Sequence, residues 1–158
     1  MRDLHELNLN EGGRPVTRRA PTAREIAAFE SEHGVSLPGA YLRLLRHANG
    51  GHPELDSFLP VDAADEGDRW QVNSFYFLDA DTEHSESLWR ATRTWRPVLG
   101  ARRIPVAQDG GGNQVYLDFT TDPPAVRLCV HDAGYSSRLV AATFEEFVDL
   151  LQDDPDMI

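Results

Sequence analysis

The sequence contains no lysine, so all 15 of its Lys or Arg positions are arginines. It contains only one cysteine. A P-loop NTPase, a Schiff-base enzyme and a protein kinase each depend on a lysine side chain, so these three kinds of chemistry are excluded. The single cysteine, Cys129, excludes an internal disulfide bond and a metal cluster held by several thiolates. Because Cys129 lies within an apolar run, we interpret it as a buried packing residue.

Long apolar runs are also lacking. No stretch of the sequence approaches the roughly 20 apolar residues that a membrane-spanning helix needs. The first residues, Met1-Arg2-Asp3, are not followed by the apolar segment of a signal peptide. We therefore expect a cytoplasmic protein with no membrane partner. The length of 158 residues predicts one domain with its own hydrophobic core.

Acidic residues are in large excess and unevenly distributed. The chain carries 26 acidic and 15 basic residues, for a net charge of −11. Residues 52–89 contain ten acids and one arginine, whereas residues 90–103 contain five arginines and no acid. An acidic field repels nucleic acid and accelerates association with basic proteins. The charge therefore disfavours nucleic acid as a partner and favours a basic protein, and the alternative is a solvated surface that only keeps the protein soluble.

Helices are predicted from apolar periodicity and from capping residues. The first begins with the capping-box pair Thr22 and Glu25. The second covers residues 38–48 and ends at an Asn-Gly-Gly sequence. The third covers residues 86–95 and is expected to end before Pro97. A fourth closes the chain after a second capping-box pattern.

Alternating apolar and polar residues predict strands between these helices. Residues 104–107 and 114–119 flank a glycine-rich loop and predict a hairpin. Residues 125–131 predict a third strand, residues 139–142 a short edge strand, and residues 70–78 contain a further strand. This order indicates an α+β fold, a single domain with a largely antiparallel mixed sheet and helices packed around it.

Three stretches in this order resemble the SUKH superfamily, which includes yeast cell-wall regulators of the Smi/Knr type and many bacterial immunity proteins. They are LPGAYLRLLRHANGG (residues 37–51), IPVAQDGGGNQVYLDF (residues 104–119) and TFEEFVDLL (residues 143–151). Each stretch alone is a weak signal, whereas the three together are considerably more specific. The resemblance spans roughly residues 21–151.

The resemblance implies an α+β fold and no enzyme activity. Bacterial members are typically immunity proteins that bind and neutralise a toxin domain, often a nuclease, encoded next to them. A cognate toxin domain is therefore the expected partner. The alternative is a regulatory or scaffold module of the Smi/Knr type, and gene context separates the two hypotheses.

The domain organisation follows from the same resemblance. Residues 1–20 lack periodicity and are expected to form an irregular, poorly ordered N-terminal arm. Residues 21–152 are expected to form the SUKH-like domain. Residues 153–158 are expected to be a frayed acidic tail.

Acidic side chains of the 52–89 segment are the candidate partner-binding residues, because they can imitate nucleic-acid phosphates towards a basic toxin. The alternative is that they only keep a loop soluble, and the sequence leaves both open. The candidates are Asp62, Asp65, Glu66, Asp68, Asp79, Asp81 and Glu83.

The glycine-rich loop consists of Asp109, Gly110, Gly111, Gly112 and Asn113. Phosphate-binding loops lead from a strand into a helix, whereas this one leads from strand to strand. We interpret it as a structural turn in which the two polar side chains hydrogen-bond the loop backbone.

Three further patterns in the sequence concern metal binding, catalysis and phosphate binding. The six histidines lack the spacing of a metal site, so no metal or cofactor is expected. His131 and Asp132 are the best candidates for a catalytic pair, which would make the protein a small hydrolase, and we do not favour this hypothesis.

The five arginines of residues 90–103, beside Trp89 and Trp95, suit phosphate contacts. We favour pairing of these arginines with the acids of residues 52–89, because the whole protein is acidic.

Overall fold

The computed structural model describes residues 1–10 and 18–154. The helices are α1 (Ala23–His33), α2 (Gly39–His47), α3 (Leu88–Leu99) and α4 (Phe144–Leu150). The strands are β1 (Ser57–Phe58), β2 (Trp70–Gln71), β3 (Ser74–Phe75), β4 (Arg103–Gln108), β5 (Gln114–Asp118), β6 (Ala125–Val130) and β7 (Ser136–Ala141). This element order confirms the predicted α+β fold.

Five strands form the main sheet in the order β3-β4-β5-β6-β7, and every neighbouring pair is antiparallel. Strands β1 and β2 form a separate two-stranded sheet. Residues 70–78, which were predicted to contain a strand, contain two short strands that belong to different sheets. The chain leaves the small sheet at buried Val72, whose N–H bonds the carbonyl of Asp56, and joins the main sheet at Asn73, whose N–H bonds Gln108.

The main core lies on one face of the sheet. Side chains of successive strand residues point to opposite faces, so β5 and β6 each supply every second residue to this core. The sheet residues of the core include Val115, Leu117, Val126 and Leu128, and those of α2 and α4 include Tyr41, Leu44, Phe144 and Phe147.

A second, smaller cluster lies on the other face of the sheet. It consists of Tyr116, Cys129 and Leu99, with Trp95 packed against them. Burial raises the pKa of the Cys129 thiol, which fits a packing role rather than a reactive one. Helix α3 joins the two clusters, because Leu88 near its start belongs to the main core and Leu99 at its end to the smaller one.

Helix α3 extends further than predicted: it ends at Leu99 and includes Pro97. Proline removes one hydrogen-bond donor, but here it does so in the last turn of the helix. The N–H of Gly100 still bonds the carbonyl of Arg96, and buried Leu99 anchors the end of the helix. The prediction that the helix ends before Pro97 is therefore wrong, and tertiary packing is the reason.

Helix α1 begins with the predicted capping box. The Thr22 hydroxyl accepts from the Glu25 N–H at 3.1 Å, and the Glu25 carboxylate accepts from the Thr22 N–H at 2.9 Å. The Glu25 carboxylate also accepts from the two terminal guanidinium nitrogens of Arg19 at 2.7 and 2.9 Å. Hydrogen bonding by Arg19 lowers the pKa of Glu25 to about 2.

Glu25 therefore predicts a pH-dependent contribution to stability. Because the pKa is about 2 in the folded protein and 4.5 as its ordinary value, the contribution is complete above pH 4.5 and is lost as the pH falls towards 2. Arg19 is 61% exposed, so we expect only about 1–2 kcal/mol. Urea unfolding of wild type and Glu25→Gln should differ by this amount at pH 6, by a smaller amount at pH 3, and converge only below pH 2. A constant difference across this range would contradict the assignment.

Tyr41 carries a buried hydroxyl group that has no hydrogen-bond partner among the described residues. Its ring is completely buried and meets Phe144 edge to face, with the ring centroids 5.3 Å apart. Burial raises the pKa of this phenol. An unpaired buried hydroxyl costs about 1–3 kcal/mol, so Tyr41→Phe is expected to leave stability unchanged or to raise it by about 1 kcal/mol. Thermal unfolding measures this, and a clear loss of stability would show that the hydroxyl is hydrogen-bonded.

The described part of the N-terminal arm differs from the poorly ordered lead-in that we expected. Leu4–Leu7 form a short 3-10 helix, and Leu7 is fully buried in the main core. The guanidinium group of Arg2 donates to the carbonyl of Asp149 at 2.7 Å. A single buried leucine without periodicity is too short a pattern to predict this docking. Residues 155–158 of the expected acidic tail lie outside the described residues.

Candidate protein-binding surfaces

The candidate acids form two groups rather than one. The first group lies on the loop of residues 62–68, beside β7. Arg138 of β7 donates to Asp62 at 2.8 Å and to Asp68 at 2.7 Å. Trp70 also donates its indole N–H to Asp68, at 2.9 Å. Hydrogen bonding by Arg138 lowers the pKa of Asp68, so this carboxylate is held charged inside the protein's own ion-pair network.

The other two acids of this loop also have local partners. The Asp65 carboxylate accepts from the Gly67 N–H at 2.9 Å and begins the 3-10 turn Glu66–Asp68. Glu66 accepts from the Nε of Arg69 at 2.9 Å. Glu66 remains 67% exposed, so its charge still contributes to the surface field.

The second group of acids follows β3. Arg18 donates to Asp79 at 3.0 Å and to Asp81 at 3.4 Å, and its guanidinium carbon lies 3.9 Å from the ring centroid of Phe77. Asp81 also accepts backbone N–H groups from Glu83 and His84, which lower its pKa. These carboxylates therefore order their own loop.

The two groups lie at opposite edges of the main sheet, because β3 and β7 are its two edge strands. The structure thus does not bring the seven acids together into one face. The role of these acids in partner binding stays a prediction.

The arginines of residues 90–103 are partly engaged as expected. Arg93 pairs with Glu83 at 3.3 Å, and Arg90 donates to the carbonyl of the same residue at 2.7 Å. Arg103 pairs instead with Asp118 at 3.4 Å, on the neighbouring strand β5. Arg102 is exposed, between α3 and β4.

The glycine-rich loop connects β4 to β5. The Asp109 carboxylate accepts from the N–H groups of Gly111 at 2.9 Å and Asn113 at 2.8 Å, and from the Asn113 side chain at 2.7 Å. Gly112 has a φ of +87°, a conformation that favours glycine. The loop backbone is therefore satisfied by the loop's own side chains.

His131 contacts this loop. Its Nε2 lies 2.6 Å from the carbonyl oxygen of Gly111, and its Nδ1 lies 3.0 Å from the carboxylate of Asp132. The side chain of Asn113 accepts the His131 N–H at 3.0 Å. Because both ring nitrogens face acceptor oxygens, His131 holds the β6–β7 connection against the glycine loop. This geometry fits a structural role better than the catalytic pair that we considered.

A groove between the end of α3 and the outer face of the sheet was not foreseen from the sequence. Its volume is about 340 Å³. Its lining comes from α3, four strands and the turn before β7: Val98, Leu99, Arg103, Tyr116, Asp118, Arg127, Tyr135 and Ser137. We call it the α3 groove. Val98 and Tyr135 on its rim are 40% and 53% exposed, although both are large apolar side chains.

Sheet register builds the floor of the α3 groove. Tyr116 lies directly opposite Arg127, and Cys129 lies opposite Ser137. The Ser137 hydroxyl lies 2.8 Å from the Tyr116 hydroxyl and accepts from the Nε of Arg127 at 2.6 Å. These contacts fix the orientation of both long side chains. Tyr116, Arg127 and Ser137 are at least ten residues apart in the sequence, so no local motif indicates the groove.

The described fold defines a class of small α+β domain, in which four helices pack around a five-stranded antiparallel meander and a glycine-rich loop joins its strands β4 and β5. The chain belongs to the SMI1/KNR4 family (SUKH-1), whose model matches residues 20–150. This match confirms the resemblance to the SUKH superfamily. In the described part of the chain, no helix is long and apolar enough to cross a membrane.

One similar protein is the SPbeta prophage-derived uncharacterized protein YokK of Bacillus subtilis (strain 168). It is 26% identical over 171 residues, which cover 96% of this chain and 84% of that protein. No solved structure matches the chain.

Proposed function

We propose that the protein is a non-enzymatic immunity protein that binds and neutralises a cognate bacterial toxin domain. Membership of the SMI1/KNR4 family supports this proposal, and the similar protein of Bacillus subtilis is named as prophage-derived. The observation that carries it is the pair of exposed apolar side chains, Val98 and Tyr135, on the rim of one groove. Exposed aromatic residues beside arginines are typical of protein interfaces.

The proposed mechanism is steric occlusion assisted by charge. A protein of net charge −11 attracts a basic toxin domain, such as a nuclease, over long distances. Such a field mainly raises the association rate, whereas the lifetime of the complex depends on close contacts. The bound immunity protein then blocks the toxin's active site or the path of its substrate.

The direct test is a calorimetric titration with a catalytically inactive form of the toxin domain encoded next to this gene. We expect one-to-one binding that weakens between about 50 and 500 mM salt, because salt screens the attraction between exposed charges. The absence of a neighbouring toxin gene, or the absence of binding, would contradict the immunity proposal.

Exposed acids are expected to accelerate this association. The variant Asp65→Asn/Glu66→Gln/Glu83→Gln removes three negative charges and leaves the ion pairs of Arg138 and Arg18 intact. We expect its association rate at low salt to fall about three- to tenfold, with little change in the dissociation rate. Stopped-flow measurement at several salt concentrations gives both rates.

The matched control is Glu32→Gln/Glu145→Gln/Asp153→Asn, which removes the same charge from exposed positions outside the predicted segment. An equal effect in both variants would show that only the net charge matters. No effect in either variant would remove electrostatic steering from the mechanism.

The second candidate function is a regulatory or scaffold module of the Smi/Knr type. Membership of the SMI1/KNR4 family supports it as well. An isolated gene, together with stable association of this protein with components of a signalling network, would favour this candidate.

A further inference from the structure

We infer that the α3 groove is the contact site for the partner, and that it receives a partner segment presenting a carboxylate beside an apolar side chain. The inference rests on the proposed immunity function and specifies the surface that performs it. It differs from the sequence prediction, because the loops of the seven candidate acids are not part of this groove.

Tyr135 is the apolar anchor of the groove. Its side chain is 53% exposed, and its ring lies edge to face with Trp95 at a centroid distance of 6.4 Å. Its backbone has a φ of +58°, a left-handed conformation that is uncommon for a bulky residue. The fold therefore holds a large aromatic ring on the rim in a conformation that smaller residues adopt more easily. Aromatic anchors of this kind carry much of the binding energy in protein interfaces.

Arg127 supplies the charge for a carboxylate. Its Nε donates to Ser137 at 2.6 Å, whereas its two terminal nitrogens make no hydrogen bond to any residue in the part of the chain described. The Ser137 hydroxyl is itself held by Tyr116 at 2.8 Å. The guanidinium group is thus oriented before binding, and its planar donors suit a carboxylate.

The local charge of this groove is opposite in sign to the net charge of the protein. Two arginines, Arg103 and Arg127, face one acid, Asp118, within a chain of net charge −11. Arg103 is already bonded to Asp118 and to the carbonyl of Leu99 at 3.0 Å. The unmatched charge of the groove is therefore the positive charge of Arg127. A partner carboxylate complements that charge, whereas a second basic side chain would be repelled.

The experiment measures the affinity of the inactive toxin domain encoded next to the gene for wild type, Arg127→Gln and Tyr135→Ser. We expect the Kd to rise about 30-fold for each variant, mainly through faster dissociation. Arg127→Lys keeps the charge but loses the planar fork, so we expect an intermediate loss.

The matched controls are Arg46→Gln on α2 and Val61→Ser, both at exposed positions outside the groove. Their affinities are expected to stay within about twofold of wild type. Because Tyr135 is half exposed, its replacement should leave thermal unfolding nearly unchanged, which separates lost binding from lost folding.

The outcomes separate the two proposals. Binding by wild type with equal affinity in both groove variants would overturn the groove inference and leave the immunity function intact. A failure of wild type to bind the toxin domain would overturn both. A loss in Tyr135→Ser without a loss in Arg127→Gln would overturn the carboxylate part of the inference.

Discussion

Replacing Asn49 by alanine is expected to lower the free energy of unfolding by about 3 kcal/mol. The Asn49 side chain is 3% exposed and makes three hydrogen bonds to backbone groups of distant segments. Its amide nitrogen donates to the carbonyls of Leu78 at 2.8 Å and Arg19 at 2.9 Å, and its oxygen accepts the Leu78 N–H at 2.8 Å. Alanine would leave both backbone groups of buried Leu78 without this partner, which is costly.

Urea unfolding monitored by tryptophan fluorescence measures this effect. The control is Asn73→Ala, since the Asn73 side chain is exposed and forms no side-chain hydrogen bond with the residues described. We expect the control to lose less than about 0.5 kcal/mol. A loss below about 1 kcal/mol in Asn49→Ala would mean that water or a rearranged backbone replaces the three bonds.

The Asn-Gly-Gly sequence shows which features could be predicted from the sequence and which could not. It correctly predicted the end of α2, because glycine and asparagine commonly terminate helices. It gave no sign that Asn49 joins the segment before α1 to the chain beyond β3. Those partners lie about 30 residues away on either side, and only the folded chain brings them together.

The hairpin and the closing helix were predictable for the opposite reason. Their signals are local, since alternation, a glycine loop and the Thr143–Glu146 capping pattern each span fewer than 20 residues. The Thr143 hydroxyl indeed accepts the Glu146 N–H at 3.2 Å. Elements defined by short-range patterns are those that sequence reasoning recovers best.

The candidate sites were harder to predict because they depend on pairing between distant residues. The sequence located an acidic segment, but Arg138 and Arg18, which lie far from it in sequence, bind its carboxylates at two different edges of the sheet. The α3 groove likewise combines Tyr116, Arg127 and Ser137 from three strands. Composition shows the charges, whereas only strand register shows which of them are already matched.

Gly50→Ala is expected to destabilise the protein by about 2–3 kcal/mol. Gly50 has a φ of +88°, which strains any residue with a Cβ atom. A Cβ built at this position would lie 3.0 Å from the Cβ of Phe77, 3.3 Å from its backbone nitrogen and 3.4 Å from the carbonyl oxygen of Phe75. These are backbone and Cβ atoms of a buried segment, so they cannot move aside as the end of a flexible side chain can.

Gly34→Ala is the matched control for this variant. Gly34 also has a positive φ, +63°, but no atom lies within 4 Å of a Cβ built there. Its replacement therefore measures the backbone strain alone, for which we expect about 1 kcal/mol. The excess loss in Gly50→Ala then reports the close packing of α2's end against Phe77. Equal losses in the two variants would show that Phe75 and Phe77 move aside at little cost in free energy. They would contradict the interpretation that close packing fixes the Asn-Gly-Gly sequence. A large excess would show that the Asn-Gly-Gly sequence is fixed by close packing against the segment beyond β3.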